Sequence, residues 1–185
     1  MLRVIGGAFK GRRLRLVRSP LVRPMPAKLR EALFDILKEK VRDAIVLDGF
    51  AGTGAIGIEA LSRGAAGAVF VEEYYPAVKT IKENLARCEA ENGGRVMHRE
   101  FNRAVIQLAK EKAAFDLIFL DPPYKLLDER NPLKVIKKRG VLKKKGVIVL
   151  RHFYKTEPDK RFFNLIRSVT IGDDTLSFFN EEDAY

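Results

Sequence analysis

Two spacings of apolar residues alternate along the chain. Short continuous apolar runs recur at "AIVLD" (44–48), "GAVFVE" (67–72), "RVMH" (95–98), "FDLIFL" (115–120) and "GVIVLR" (146–151), and each reads as a strand buried on both faces. The stretches between them have helical periodicity. One helix follows the first strand to about Arg63, and a second begins at Pro76 with Val78, Ile81, Leu85 and Cys88 at helical spacing. A third covers roughly 102–112 and a basic fourth about 128–139. Ahead of the first strand, "AKLREALFDILKEKVRD" puts Leu29, Ala32, Leu33, Ile36 and Leu37 on one face of an amphipathic helix, with Pro26 near its first turn. Residues 3–17 read as a short twisted hairpin, "RVIGG" and "RLRLV" around a turn at "FKGR". The Pro/Arg-rich connector "RSPLVRPMP" (18–26) joins it to that helix. Past the fifth strand, "RFFNLIRSVTI" and "TLSFFN" flank "GDD", the signal of a closing hairpin.

Strand–helix alternation of this kind predicts a doubly wound α/β fold. Its sheet is mostly parallel and seven-stranded, Rossmann-like, with helices on both faces and an antiparallel C-terminal hairpin. The hairpin and helix at the start form a small extension. The expected organisation is a basic N-terminal hairpin and connector over 1–26 and a catalytic domain over 27–185.

Charge changes the picture more than composition does. Twelve of the 35 Lys and Arg residues, against three of the 24 acids, fall in residues 1–42, and a second basic cluster runs from Lys125 to Lys145. Localised positive charge is the footprint of a polyanion partner, which points to nucleic acid, and Lys10, Arg12, Arg13, Arg23, Lys28 and Arg30 lie in the N-terminal stretch that carries it. Cys88 is alone, which excludes an intrachain disulfide and a cysteine-based metal cluster and fits a reducing, cytoplasmic setting. No apolar run approaches ~18 residues and the first residues lack a signal-peptide core, so neither export nor a membrane span is expected.

The candidate chemistry lies at strand ends. "LDGFAGTGAIG" (47–57) contains Gly52-x-Gly54-x-x-Gly57, but Asp48 ends the strand and Gly49-Phe50-Ala51 intervene before the glycines. A carboxylate there would repel a pyrophosphate and suit an ammonium group, which argues against a nicotinamide dinucleotide and for S-adenosylmethionine. Glu72, ending the next strand, is placed to accept ribose hydroxyls. "DPPY" (121–124) stops the fourth strand, because neither proline has an N–H to donate. Asp121 and the Pro122 carbonyl could hold both N–H bonds of a nucleobase amine, and Tyr124 could stack on the extruded base. His98 and His152 have no partner cluster and read as surface or structural residues, with no metal site implied.

Beyond these motifs the chain resembles the bacterial 16S rRNA guanine-N2 methyltransferase D family (RsmD) of class I methyltransferases. The likeness is carried by "RVIGGAFKGRRL", "VRPMPAKLREALFDIL", "VLDGFAGTGAIGIEALSRGA", "FVE" with "IKENL", "FDLIFLDPPY" and "IGDDTLSFF". It implies methylation of the 2-amino group of one guanine in 16S rRNA, within an assembling small subunit. It further implies that Asp48, Gly52 and Gly54 line the methionine part of the cofactor, with Glu72 on its ribose, and that the basic hairpin (Lys10, Arg12, Arg13) with Arg23, Lys28 and Arg30 meets RNA or shapes the pocket's lid. An adenine-N6 methyltransferase acting on DNA or RNA would use the same "DPPY" chemistry. Phe50 lies in the cofactor loop, and Glu100 is the candidate for the adenine amino group. Four positions depart from the family pattern: Met25, Tyr74, the segment "REFNRA" (99–104), and Arg151 in "LRHF", where an acid is common.

Overall fold

The structure is a computed structural model that describes residues 1–123 and 125–181. Seven strands, β1 (Ile45–Asp48), β2 (Gly67–Glu72), β3 (Gly94–His98), β4 (Phe115–Leu120), β5 (Leu142–Phe153), β6 (Asn164–Ile171) and β7 (Asp174–Asn180), form one sheet in the order β3-β2-β1-β4-β5-β7-β6. The first five are parallel and β7 runs antiparallel between β5 and β6. Strand order reverses between β1 and β4, so the crevice of the sheet opens where those two strands end.

Continuous apolar runs suit these strands because alternate side chains enter opposite layers and both layers are covered. Val46, Phe70, Leu117, Phe119, Val147 and Val149 pack beneath α1 (Ala27–Leu37), α2 (Ala55–Ser62) and α3 (Tyr75–Arg87). Their neighbours Leu47, Val71, Ile118, Leu120, Ile148 and Leu150 pack beneath α4 (Phe101–Lys110) and α6 (Pro132–Arg139). Between β4 and α6 lies a single short turn of helix, α5 (Leu126–Glu129). Among the described residues no helix is long and apolar enough to cross a membrane.

Four boundaries differ from the sequence reading, each for a local reason. The basic fourth helix is divided, because Asn131 caps α6 by accepting from the Leu133 N–H at 3.0 Å and Pro132 follows as its first residue. The helix expected over 27–43 ends at Leu37 and tightens into a 3-10 turn, Lys38–Val41, through the positive φ of Lys38. β5 starts earlier than expected: Phe115 pairs with Leu142 but Leu117 with Val147, and the intervening lysines bulge out. The N-terminal hairpin contracts to one antiparallel bridge, Arg3 to Arg13, flanked by hydrogen bonds between Val4 and Arg12 and between Leu2 and Leu14.

Tertiary contacts, rather than strand pairing, hold that N-terminal segment. Glu59 of α2 has a side chain only 1% exposed. It accepts from the N–H groups of Ile5 and Gly6, both at 2.8 Å, and from Arg63 Nε at 2.9 Å. Ser62 bonds to Gly6, Ala8 and Phe9, and a Cβ on Gly7 (φ 79°) would stand 2.0 Å from the Ser62 carbonyl oxygen. Arg30 completes the cluster. It was expected at the RNA-facing surface, but it is 2% exposed and donates to the carbonyls of Arg3 (2.7 Å) and Met25 (3.4 Å), with Glu59 at 3.9 Å. Its guanidinium staples the extension to the domain and is not available to a nucleic acid. Removing Glu59 leaves two backbone donors unsatisfied and Arg30 buried without its counter-ion. Glu59→Ala should therefore lower the unfolding free energy by about 3–5 kcal/mol in urea titration. A loss below about 1 kcal/mol would mean that Leu2, Val4 and Leu14 alone retain the segment.

Candidate active site

Parallel strands place their carboxyl ends at one edge, and the residue ending each run becomes a neighbour of the next. Asp48 is level with Phe70 on β2 and Phe119 on β4, so Glu72 and Asp121 each lie two residues further out on either side of it. The glycine loop folds over this edge: the Gly49 N–H donates to the Phe119 carbonyl and the Ala51 N–H to the Val71 carbonyl. Gly52 (φ 55°) and Gly54 (φ 78°) make the turn into α2 in a backbone region that favours glycine. At Gly57 a Cβ would stand 2.3 Å from the Phe70 ring, so the third glycine lets α2 press against the sheet.

Asp48 is buried, and its Oδ2 accepts from the Gly57 N–H at 3.0 Å. Burial pushes its carboxyl up to about 7, the charges of Asp121 and Glu72 add to the rise, and the Gly57 amide opposes it. Glu72 accepts from the Gly52 N–H (2.8 Å) and the Tyr74 N–H (2.9 Å), one on each oxygen, and so ties the loop to β2. On the far side Phe50 stacks on Phe101, with centroids 4.8 Å apart. Glu100 caps α4 by accepting from the Arg103 N–H at 3.0 Å. Its Oε1 is buried without a hydrogen-bond partner, as is Oδ1 of Asn102. Arg130 Nη1 stands 3.9 Å from Glu100 Oε1, too far for a hydrogen bond. Buried acceptors without a hydrogen bond are uncommon and mark a place where a donor belongs.

Asp121 follows β4 directly. Its Oδ2 accepts from Arg151 Nη1 at 2.9 Å, while Arg151 Nε donates to Asp174 Oδ1 at 3.0 Å. Loss of hydration pushes the Asp121 carboxyl above its ordinary value, and Arg151 opposes that rise. Pro122 is buried. Tyr124, expected to stack on the target base, lies outside the described residues.

The basic residues divide. Lys10, Arg13, Arg23 and Lys28 are exposed, and Arg12 is half-buried, donating to the Arg87 carbonyl (2.8 Å) and Glu89 (3.1 Å). The connector reaches the cleft: Val22 Cγ1 lies 3.2 Å from where a Cβ of Gly52 would stand. Much of the second basic run is elsewhere, because α6 ends and β5 begins at the opposite edge of the sheet. There Lys143 pairs with Asp116 at 2.8 Å.

The sequence reading missed Asn84 and named Arg151 only as a departure from the family pattern. Asn84, fully buried, donates to the carbonyls of Thr53 (2.9 Å) and Arg15 (3.0 Å) and accepts from the Arg15 N–H (2.7 Å), which locks the extension to the cofactor loop. Its place in "IKENL" on the buried side of α3 was the available signal. Arg151 had a clearer one: it is a charge ending an otherwise apolar run, as Asp48, Glu72 and Asp121 are.

An acid-lined crevice at the switch point, with a reversed last strand between β5 and β6, is the class I methyltransferase fold. Within that class the chain belongs to the RsmD family, whose description, "Conserved hypothetical protein 95", covers residues 2–180. The Bacillus subtilis (strain 168) protein named "Putative rRNA methyltransferase YlbH" is 37% identical over 173 residues, 92% of this chain and 94% of its own length. "Ribosomal RNA small subunit methyltransferase D" of Escherichia coli (strain K12) is 41% identical over 130 residues, 69% of this chain and 64% of its own. The solved structure of "Putative methyltransferase yhhF from Escherichia coli" superposes with a TM-score of 0.84 at 29% identity, covering 99% of both chains.

Proposed function

We propose that this chain transfers a methyl group from S-adenosylmethionine to the exocyclic N2 amine of a guanine in 16S rRNA, within a partly assembled small subunit in the cytoplasm. The observation that carries the reading is the Asp121 carboxylate. It is fixed through Oδ2 beside the cofactor crevice, and among the described residues its Oδ1 takes part in no hydrogen bond.

The residues present fit this cofactor. Its ammonium, ribose hydroxyls and adenine amine are all donors, and the crevice answers with acceptors: Asp48, Glu72 and the oxygens of Glu100 and Asn102 that take part in no hydrogen bond. A pyrophosphate would instead meet three carboxylates. When bound, S-adenosylmethionine supplies an electrophilic methyl group on a sulfonium. Asp48 takes the ammonium, while Gly52 and Gly54 let backbone approach the methionine part. Glu72 keeps its loop amides and offers its remaining lone pairs to the ribose. Phe50, backed by Phe101, covers one face of the adenine, and Glu100 accepts from its amine.

An aromatic amine is a poor nucleophile, because its lone pair is delocalised into the ring. Asp121 Oδ1 and the Pro122 carbonyl, each accepting one N–H, orient that lone pair toward the reacting carbon, which is catalysis by position and preorganised charge. Tyr124 stacks on the extruded base. Lys10, Arg12, Arg13, Arg23 and Lys28 meet RNA phosphates, and the connector beside Gly52 leads from that surface into the cleft. The names of the curated relatives support an rRNA substrate.

Labelled methyl transfer to small-subunit particles lacking the modification, followed by nucleoside digestion, tests the proposal. Label in N2-methylguanosine is expected. Label in N6-methyladenosine would keep the mechanism and overturn the substrate, and an absence of cofactor binding would overturn both.

A further inference from the structure

Arg151 follows four apolar residues of β5, Val147 to Leu150, two residues before the strand ends at Phe153, and its side chain is 13% exposed. Strand pairing explains its place. Leu120 is level with Leu150, so the next residue on each strand, Asp121 and Arg151, meet at the catalytic edge. On its other side β5 pairs with β7, where Arg151 is opposite Leu176 and Asp174 is two residues beyond. The guanidinium therefore spans three strands, with Nη1 on Asp121 at 2.9 Å and Nε on Asp174 at 3.0 Å. A planar donor fork held at two points has little freedom to rotate.

We infer that Arg151 is a positioning residue for the reaction: it clamps Oδ2 of Asp121, anchored in turn by Asp174, and so leaves Oδ1 as the acceptor for the target amine. The inference rests on the proposed transfer to a nucleobase amine. A carboxylate alone in this crevice would face the charges of Asp48 from β1 and Asp174 from β7, with Glu72 beyond Asp48. Arg151 is the cation that meets it, through β5. His152, the next residue, enters the opposite layer and bonds to Ser177 at 2.8 Å, so it takes no part. The clamp serves two ends. It fixes the direction of Oδ1, and it opposes the rise that burial imposes on the Asp121 carboxyl, since a protonated carboxyl would present a donor where an acceptor is needed.

The variants Arg151→Gln, Arg151→Lys and Asp174→Asn separate these two effects. In Arg151→Gln, kcat should fall about 10–100-fold with KM for RNA and cofactor affinity within a few-fold. The acid limb of its kcat profile should move to higher pH, because the lost cation lets Asp121 hold its proton longer. Arg151→Lys keeps the charge without the fork, so it should restore the limb but only part of the rate. Asp174→Asn removes a repelling charge and one anchor; its limb should not rise, and any fall in kcat then reports position alone. An independent readout is the 13C carboxyl titration of Asp121, assigned with Asp121→Asn. It should shift upward by about a unit or more in Arg151→Gln, whether or not the RNA substrate is the right one. An unmoved carboxyl titration would overturn the inference and reduce the pair to a brace at the sheet edge. A shifted titration in a protein whose wild type methylates no RNA would instead overturn the proposed reaction and keep the clamp.

Discussion

Asp121→Ala is expected to reduce methyl transfer about a thousandfold while leaving cofactor affinity within a few-fold. The asymmetry follows from the geometry. The groups proposed to hold the cofactor lie at the ends of β1 and β2 and at the cap of α4, whereas Asp121 lies beyond β4 and is tied across to β5. Removing it leaves Arg151 still paired with Asp174, so no buried cation is stranded and the strand ends keep their register. What disappears is the acceptor that turns the amine lone pair, an interaction worth most when charge develops on the nitrogen. Single-turnover transfer and equilibrium cofactor binding, measured on the same preparation, check this. Equal losses in both would make Asp121 a structural support of the crevice.

Asp48→Asn should act in opposite directions on stability and on binding. The folded carboxyl titrates at about 7, against an ordinary value of 3.8 in an unfolded chain. Between those values the folded protein holds a proton that the unfolded chain has given up. Stability therefore falls as pH rises from about 4 to about 7, by about 4 kcal/mol in all, and stays lower above that. Asparagine carries no charge and can still accept from Gly57, so the variant should be the more stable protein at pH 8 and nearly equal at pH 4. Denaturant unfolding at the two pH values decides this. Cofactor affinity should drop about 10–100-fold, since a charged partner for the ammonium is lost. An ammonium beside Asp48 also favours its ionised form, so binding at pH 6 should release close to one proton and binding at pH 8 almost none. Calorimetry in two buffers of different protonation enthalpy reads that difference directly. Equal enthalpies in both buffers at pH 6 would place the ammonium elsewhere.

Much of this molecule was legible along the chain, for a definite reason. Apolar runs of four to six residues closed by Asp48, Glu72 and "DPP" mark both the strands and their ends, and a parallel sheet gathers such ends at one edge whatever the side chains do. The glycine loop and the C-terminal hairpin were equally local, written in residues that turn the backbone. Helix boundaries were less so. Leu133 and Ile136 continue a helical spacing across Asn131-Pro132, and only the cap geometry shows that the helix restarts there.

What sequence could not supply was the partner of each buried polar group. Arg30 and Glu59 have the local signature of solvated helix residues, and the positions of Asn84 and Arg151, though suggestive of burial, do not name their partners. The structure instead uses three of them to seat the N-terminal extension on α2 and the cofactor loop, and the fourth to hold the candidate catalytic carboxylate. By itself the sequence determined the strand order of chemistry, acid by acid, because periodicity and strand-breaking residues act over a few neighbours. The tertiary structure alone decided which charges are satisfied and by whom. Glu59 reaches Ile5 and Asn84 reaches Arg15 across more than fifty residues of chain. Such pairings exist only once the sheet has brought their backbones within hydrogen-bonding distance.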